Sequence, residues 1–509
     1  NVGVGALAQE PPDFVQCPDA HVESSRIEAM ARWITIFLAL RSAFAAVRTL
    51  PERIAVGECL DSEAGDVSLY RSKIVSSFPD PAVTAAEADV TSAALISVAY
   101  GNHFKVLTEE LAKEQYVLTQ CGATQPTDAE VDAVVSGTGY QRKHFTIPLQ
   151  NVAAASTTLL SFLRRLGVED RVAYADAYGV HGCWQKAISC GRTLEASWGN
   201  VTKMEEQLDS VEVAFMDCNS DCSNVRARSN AVHVPATKDS GNLHSAEYIK
   251  FLAAFFNLEE LALGMFQDTV ASYTGRQVSA SAPVVAWIQW NGYYKRWELS
   301  QATYKLHLVT AAGGRNVDAA QLAQSVPSMA VEDAVAGNAG AGKTYYVPEG
   351  DDKWAAADAL LSQMQDVDIV VDETYAPDPG AYNYDSFLAT FNLTSQGTQK
   401  FLTGQKVLRV DRLYTSMGGL DWMESRIAYP DLAATGLARY VLGDASLAQS
   451  YWRNVALNEA AELVTMESCN QSLPTCDASY ATPIGVTVEA SKSIQSVPTL
   501  LLGLAWWAM

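Results

Sequence analysis

Two stretches of the chain repeat one order of apolar and polar positions, about 130 residues apart. The first, FTIPLQNVAAASTTLLSFLRRLGVEDRVAYADAYGVHG, runs from Phe145 to Gly182, and the second, APVVAWIQWNGYYKRWELSQATYKLHLVTAAGGRNVDA, from Ala282 to Ala319. Each opens on a continuous apolar run, as a doubly buried strand would, and continues with apolar residues every three or four positions, as a helix would. Between them, His244–Val270 sets Tyr248, Leu252, Phe255, Leu258, Ala262 and Phe266 on one broad stripe, which predicts a single long helix. Further apolar runs at YVLTQ, VEVAFMD, AVHVPA, VDIVVDET and KVLRVD alternate with helical segments. That alternation predicts two α/β lobes with largely parallel sheets, and a cleft between lobes is a natural ligand site.

The same pattern divides the chain into residues 1–115, a helical extension; 116–240, the first lobe; 241–275, the inter-lobe helix; 276–455, the second lobe; and 456–509, a tail. The tail ends in SVPTLLLGLAWWAM, too short to span a bilayer as a helix but a candidate anchor region. Gly-rich loops are expected at VDAVVSGTGYQ and around AGNAGAGKTYYV. The second contains G-x-x-x-x-G-K-T from Gly337 to Thr344. A phosphate loop needs a buried strand before it and a helix after it, whereas MAVEDAVA precedes this one and TYYVPEG follows, so nucleotide binding is not expected.

A net charge of −22 repels phosphate backbones and argues against nucleic acid as a partner. Of nine cysteines, six fall in close pairs, Cys183 with Cys190, Cys218 with Cys222, and Cys469 with Cys476, which suggests short disulfide loops. Sequons at Asn200, Asn392 and Asn470 are glycosylation candidates and, with the cysteines, favour a secreted or cell-surface setting. The seven histidines are scattered, which disfavours a site for a bare metal ion.

The run TIPLQNVAAASTTLLSFLRRLGVEDRVAYAD resembles the opening of the class III extracytoplasmic solute-binding proteins of ABC importers, the siderophore, haem and cobalamin group. GRTLEASWGNVTKMEEQLDSVEVAFMD resembles that family's next segment, with Asp209 and Ser210 in place of the usual Pro-Asp. SAEYIKFLAAFFNLEELA resembles its inter-lobe helix, and AGGRN, VDIVVDET and KVLRVD resemble second-lobe landmarks, so the likeness spans about residues 116–445. The resemblance implies two Rossmann-like lobes on a stiff backbone helix and a binder with no catalytic residues, no intrinsic cofactor and no protein-bound metal. The implied ligand is a ferric siderophore, with cobalamin the alternative. The implied molecule is a monomer that meets a small chelate and a membrane permease or reductase. An enzyme built around a cysteine-held cluster at Cys218 and Cys222, or an adhesive protein with a vestigial cleft, are the competing readings.

Family ligands lie on loops after the strand ends, where an open α/β sheet presents its crevice. In this sequence those loops offer Tyr174, Tyr178, His181 and Trp184 from the first lobe, with Arg226 as a candidate anion partner. The second lobe offers Trp290, Tyr293, Tyr294, Arg296, Trp297, Tyr375, Tyr384 and Tyr414. Aromatic faces give broad contact at low entropic cost, and arginines pair with carboxylate or hydroxamate oxygens. Tyr293, Tyr294 and Trp297 are placed in a loop or helix start, and Trp287 is divided between core and pocket.

Overall fold

The computed structural model describes residues 91–469 except 102, 198–200, 218–226 and 336–337. Its first elements are strands: β1 (Ile96–Tyr100), β2 (Phe104–Glu109) and β3 (Glu114–Gln120). The expected helical extension is therefore wrong for 96–115, while residues 1–90 lie outside the described residues. The helical period read across TAAEADVTSAALISVAY came from alanines, which suit either period. ISVAY and FKVLTE instead flank a tight turn, where a side chain at Gly101 would run into the Phe104 ring. After α1 (Asp128–Asp132), β4 (Gln141–Ile147) pairs parallel with β3 and completes a four-stranded sheet.

The strand expected to open the first module, FTIPL, instead ends β4 in that separate sheet; the strand before the helix is β5 (Val152–Ala154), followed by α2 (Thr157–Arg165), and Gly167 stops the helix at φ +72°. The chain continues through β6 (Val172–Ala175), α3 (Gly182–Ser189), β7 (Leu194–Glu195), α4 (Val201–Asp209), β8 (Val213–Met216) and β9 (Ala231–His233). All five strands run parallel in the order β7-β6-β5-β8-β9, so the chain winds outward from β5 in both directions. Such a sheet opens its crevice beyond the strands' carboxyl ends.

The single inter-lobe helix is replaced by three in succession: α5 (Asn242–Ala246), α6 (Tyr248–Ala254) and α7 (Glu259–Thr274). The ammonium of buried Lys105 ends α6 by donating to the Ala254 carbonyl (2.9 Å) and the Asn257 amide oxygen (2.8 Å). Asn257 takes φ +57°, and Phe255 turns out of the helix against Phe215, ring centroids 5.1 Å apart. Those phenylalanines keep the helical period in sequence but fill the first lobe's core as a turn.

The second lobe carries β10 (Val284–Asn291), β11 (Arg296–Ala302), α8 (Thr303–Ala311), β12 (Arg315–Asn316), α9 (Ala319–Gln324), β13 (Ala330–Val335) and β14 (Asn338–Pro348). Then come α10 (Lys353–Leu361), β15 (Ile369–Asp372), α11 (Tyr384–Thr390), α12 (Lys400–Thr403) and β16 (Val407–Arg409). The last elements are β17 (Leu413–Tyr414), α13 (Asp421–Ser425), α14 (Pro430–Val441), β18 (Arg453–Asn454) and β19 (Glu462–Leu463). β12, β10, β15 and β16 are mutually parallel, while β11, β14 and β13 extend the sheet antiparallel along one side and β18 pairs antiparallel with β16 at the other edge. Two expectations change here. RWELSQA is a strand and the helix begins only at Thr303, and the stretch expected as a Gly-rich loop at AGNAGAGKTYYV is mostly β14. Lys343 of the phosphate-loop pattern pairs with Asp333 across that hairpin at 2.5 Å.

Cys183 bonds to Cys469, not to Cys190. Cys183 stands in the first turn of α3 and Cys190 caps its far end. Seven residues of helix rise about 10 Å, beyond the reach of a disulfide. Cys121 and Cys190 are each in a disulfide as well. Cys218, Cys222 and Cys476 lie outside the described residues, as do Asn200, Asn470 and the C-terminal apolar run. Among the described residues no helix is long and apolar enough to cross a membrane.

Candidate functional site

A cavity of about 790 Å³ opens between the lobes. The end of the first lobe and the start of α5 contribute the short segment Thr237–Asn242 with Ser245, and β10, β11, β13, α8 and the loops after β15 and β16 supply most of the rest. Strand ends do line it, as the fold predicts, but its wall is largely polar and charged rather than aromatic.

Most of that charge is already paired. Lys305 of α8 is bonded to Glu373 and to the Ser300 hydroxyl (3.1 Å). Burial draws its pKa down, but the Glu373 carboxylate outweighs this and the net direction is up. Arg296 lies between the Tyr294 and Tyr346 rings (4.5 and 4.2 Å) and binds Glu298 (2.5 Å) and Glu332. Beneath the loop after β15, Arg409 bridges Asp372 (2.6 Å) and Asp411 (2.7 Å), and Arg453 binds Asp411 from the other side (2.6 Å). Burial raises the Asp411 carboxyl, yet the two guanidiniums prevail and hold it below its ordinary value. The spare donors of Arg409 and Arg453 reach the carbonyls of Thr374, Pro379 and Tyr382, which pins residues 374–382 against the cavity.

Arg426, just past α13, is different. Its guanidinium stacks on Tyr304 (4.3 Å) and Trp422 (5.3 Å), its Nε is buried without a hydrogen-bond partner, and among the described residues no carboxylate pairs with it. It lines the cavity beside Met423 and Ile427. A cation stacked on aromatic faces with donors unused is a group to which an anion could hydrogen-bond. Trp287 and Trp422 lie just below, 6.0 Å apart and almost wholly buried.

Of the residues singled out in sequence, Tyr294, Arg296 and Tyr375 reach the cavity. Tyr293 is exposed outside it, edge-on to Tyr294. Trp290 is half-buried, with the Lys353 ammonium over its ring at 4.1 Å. Trp297 is in the second lobe's core on β11, not in a loop, because pairing with β14 turns it inward against Phe391. Trp184 and Tyr174 are core residues of the first lobe. Tyr178 and His181 belong to the junction between lobes, where the His181 Nδ1 caps α3; burial and then Arg164 depress its pKa to about 4. Tyr384 stacks on Phe387, and Tyr414 sits on β17. Arg226 lies outside the described residues. Sequence reasoning missed Tyr304, Lys305 and Arg426. The signal for Arg426 was a lone cation in the otherwise apolar or acidic run GLDWMESRIAY.

No family model and no curated protein matches the chain. Among solved structures, a periplasmic haem-binding protein from Pseudomonas aeruginosa is 13% identical with a TM-score of 0.36, over 60% of this chain and 98% of that one. A periplasmic binding protein from Veillonella parvula is 14% identical at a TM-score of 0.40, over 58% and 92%. FhuD2 from Staphylococcus aureus, solved with bound ferrioxamine B, is 12% identical at a TM-score of 0.36, over 57% and 99%.

Proposed function

We propose that the protein is an extracytoplasmic solute-binding protein, not an enzyme, and that it captures a metal chelate with an anionic periphery in the inter-lobe cavity, a ferric siderophore first of all. Delivery to a membrane permease or reductase is part of this reading. The observation that carries it is Arg426, a cation that faces the cavity while every neighbouring charge in its wall that forms an ion pair is spent on another residue. Tyr304 and Tyr294 add aromatic faces, and the volume lies in the range of small-molecule pockets. Among the described residues no group of three or more His, Cys, Asp or Glu side chains gathers to hold a bare ion. The wall's donors suit the oxygens of a chelator instead.

Titration of the purified protein with ferric hydroxamates, ferric catecholates, haem and cobalamin, read by tryptophan fluorescence, tests the reading. Trp287 and Trp422 under the cavity floor are the expected reporters. An anionic ferric chelate should quench strongly and saturably, and cobalamin more weakly. Silence toward all four ligands overturns the proposal, and a response to cobalamin alone replaces the cargo.

A further inference from the structure

The two lobes touch at more than their connecting helices. After β18 the chain first pairs β19 with β17 of its own lobe, where Arg412 reaches Glu462 (3.3 Å), and then returns to the first lobe, where a short 3₁₀ turn at Met466–Ser468 packs on α3. The Gln185 amide donates to the Val464 carbonyl (3.3 Å), and Cys469 closes the Cys183 disulfide. A side chain at Gly182 would collide with the Ser468 hydroxyl and the Thr465 carbonyl, so glycine there is what allows the turn to sit so close. Next to this contact, α13 of the second lobe lies on α2 of the first. The Ser161 hydroxyl donates to the Glu424 carbonyl (2.8 Å), the Glu424 carboxyl accepts from the Val180 and His181 amides, and Gly419 rests on the Tyr178 carbonyl. The covalent link joins residues 286 apart in sequence, one in the first lobe and one in the segment that follows the second.

We propose that residues 458–469 form a latch that fixes the opening of the cleft. The disulfide and the turn on α3 hold the 176–182 loop, that loop holds Glu424, and α13 carries Arg426 into the cavity on its other side. With the latch shut, the cleft is preformed, so ligand enters and leaves without separation of the lobes at this edge. Both half-cystines are nearly buried, 3% and 8% exposed, which shields the bond from thiol exchange and suits a permanent fastening. This inference concerns lobe movement and holds whatever the cavity carries.

Hydrogen exchange on the full chain tests it without ligand. In the Cys183→Ser/Cys469→Ser double variant, amides of 176–182 and 420–427 should exchange about tenfold faster or more. The central strands β5, β8, β10 and β15 should stay protected. Gly182→Val, which keeps both cysteines but forces the turn away, should loosen the same two segments together with 458–469 itself, and again leave the central strands protected. Faster exchange confined to 458–469 in either variant overturns the latch. If the double variant does not fold, unchanged exchange at 176–182 and 420–427 in Gly182→Val overturns it equally.

Discussion

The two walls of the cleft are built from different materials. The first lobe's side is the short segment Thr237–Asn242 at the end of an all-parallel sheet, mostly small and polar, with Lys238 and Asp239 as its charged residues and the Asp239 carboxylate held by the Ala94 and Leu95 amides. The second presents a mixed sheet whose antiparallel extension carries Arg296 and Glu298, with Lys305 on α8, Glu373 after β15 and Arg426 after α13. A parallel strand buried on both faces has few positions to spend on polar side chains. An antiparallel extension with one open face has many. Ligand selection should therefore reside in the second lobe, with the first acting as a backstop.

The largest effect expected from this contrast is on stability. Arg409→Ala leaves Asp372 and Asp411 buried with half their compensation, and should cost about 3–5 kcal/mol in urea unfolding. The equivalent removal from the first lobe's backstop, Ser240→Ala, should cost under about 0.5 kcal/mol. Comparable losses at the two positions would erase the distinction between a charged lattice and a plain wall.

Next comes affinity. Arg426→Ala should weaken the quenching chelate about 10- to 100-fold, the value of one or two charge-assisted hydrogen bonds, with unfolding almost unchanged. Arg426→Lys should recover only part, because an ammonium lacks the planar fork. Ser240→Ala should shift affinity less than about threefold. Equal losses on both sides of the cleft would place selection in both lobes.

The contrast also decides what could be read in the sequence. Continuous apolar runs such as VVAWIQW, VDIVV and KVLRV announce strands because burial on both faces leaves no other pattern, and so these strands are legible along the chain, though not their order in the sheet. The antiparallel extension was not. In RWELSQATYKLHL the polar residues of β11 alternate with buried Trp297 and Leu299, and the strand runs into α8 with no breaker between them. The pairing that decides the matter is made by β14, some forty residues downstream. Aromatic residues in these loops read as pocket because aromatics line pockets, but the same rings are the first choice to fill a core. Trp184 and Trp297 went to the core, whereas Arg426 is visible only once α13 is set between Tyr304 and the cavity.

A smaller effect distinguishes the junction between lobes from the interior of either. Burial, reinforced by the Asp421 carboxylate, pushes Glu424 from 4.5 to about 8. Burial alone dominates the rise of Asp217 in the first lobe, from 3.8 to about 6. Both groups bind their proton more tightly folded than unfolded. Their stabilisation is thus complete below the unfolded pKa and is lost as pH climbs to the folded one. For Asp217 that loss ends near pH 6, and for Glu424 it continues to about pH 8. Arg164 is the cation that opposes the Glu424 shift, and Tyr451 also feels its charge. Unfolding midpoints measured from pH 6 to 8.5 should therefore fall in the wild type, and fall less in Glu424→Gln, whose amide stays neutral. Asp217→Asn should leave the slope in that window as it was. If the two variants flatten the curve equally, the junction is no more sensitive to pH than the interior of the first lobe.

The smallest effect compares two neighbours at the cavity mouth. Tyr293 and Tyr294 follow β10 side by side, both more than half exposed, and each amide is held by the Asn291 side chain. Only Tyr294 lines the cavity and covers the Arg296 guanidinium. Tyr294→Ala should weaken chelate binding about three- to tenfold, the worth of one aromatic contact, while Tyr293→Ala should change it less than twofold. Arg296 is already committed to two carboxylates, so the loss at Tyr294 reports ring contact with the ligand rather than a displaced arginine. A Tyr294→Phe variant separates the hydroxyl from the face: retained affinity assigns the contact to the ring, and a full loss assigns it to the hydroxyl. Equal losses at Tyr293 and Tyr294 would extend the binding surface beyond the cleft and weaken the case for a cavity-bound ligand.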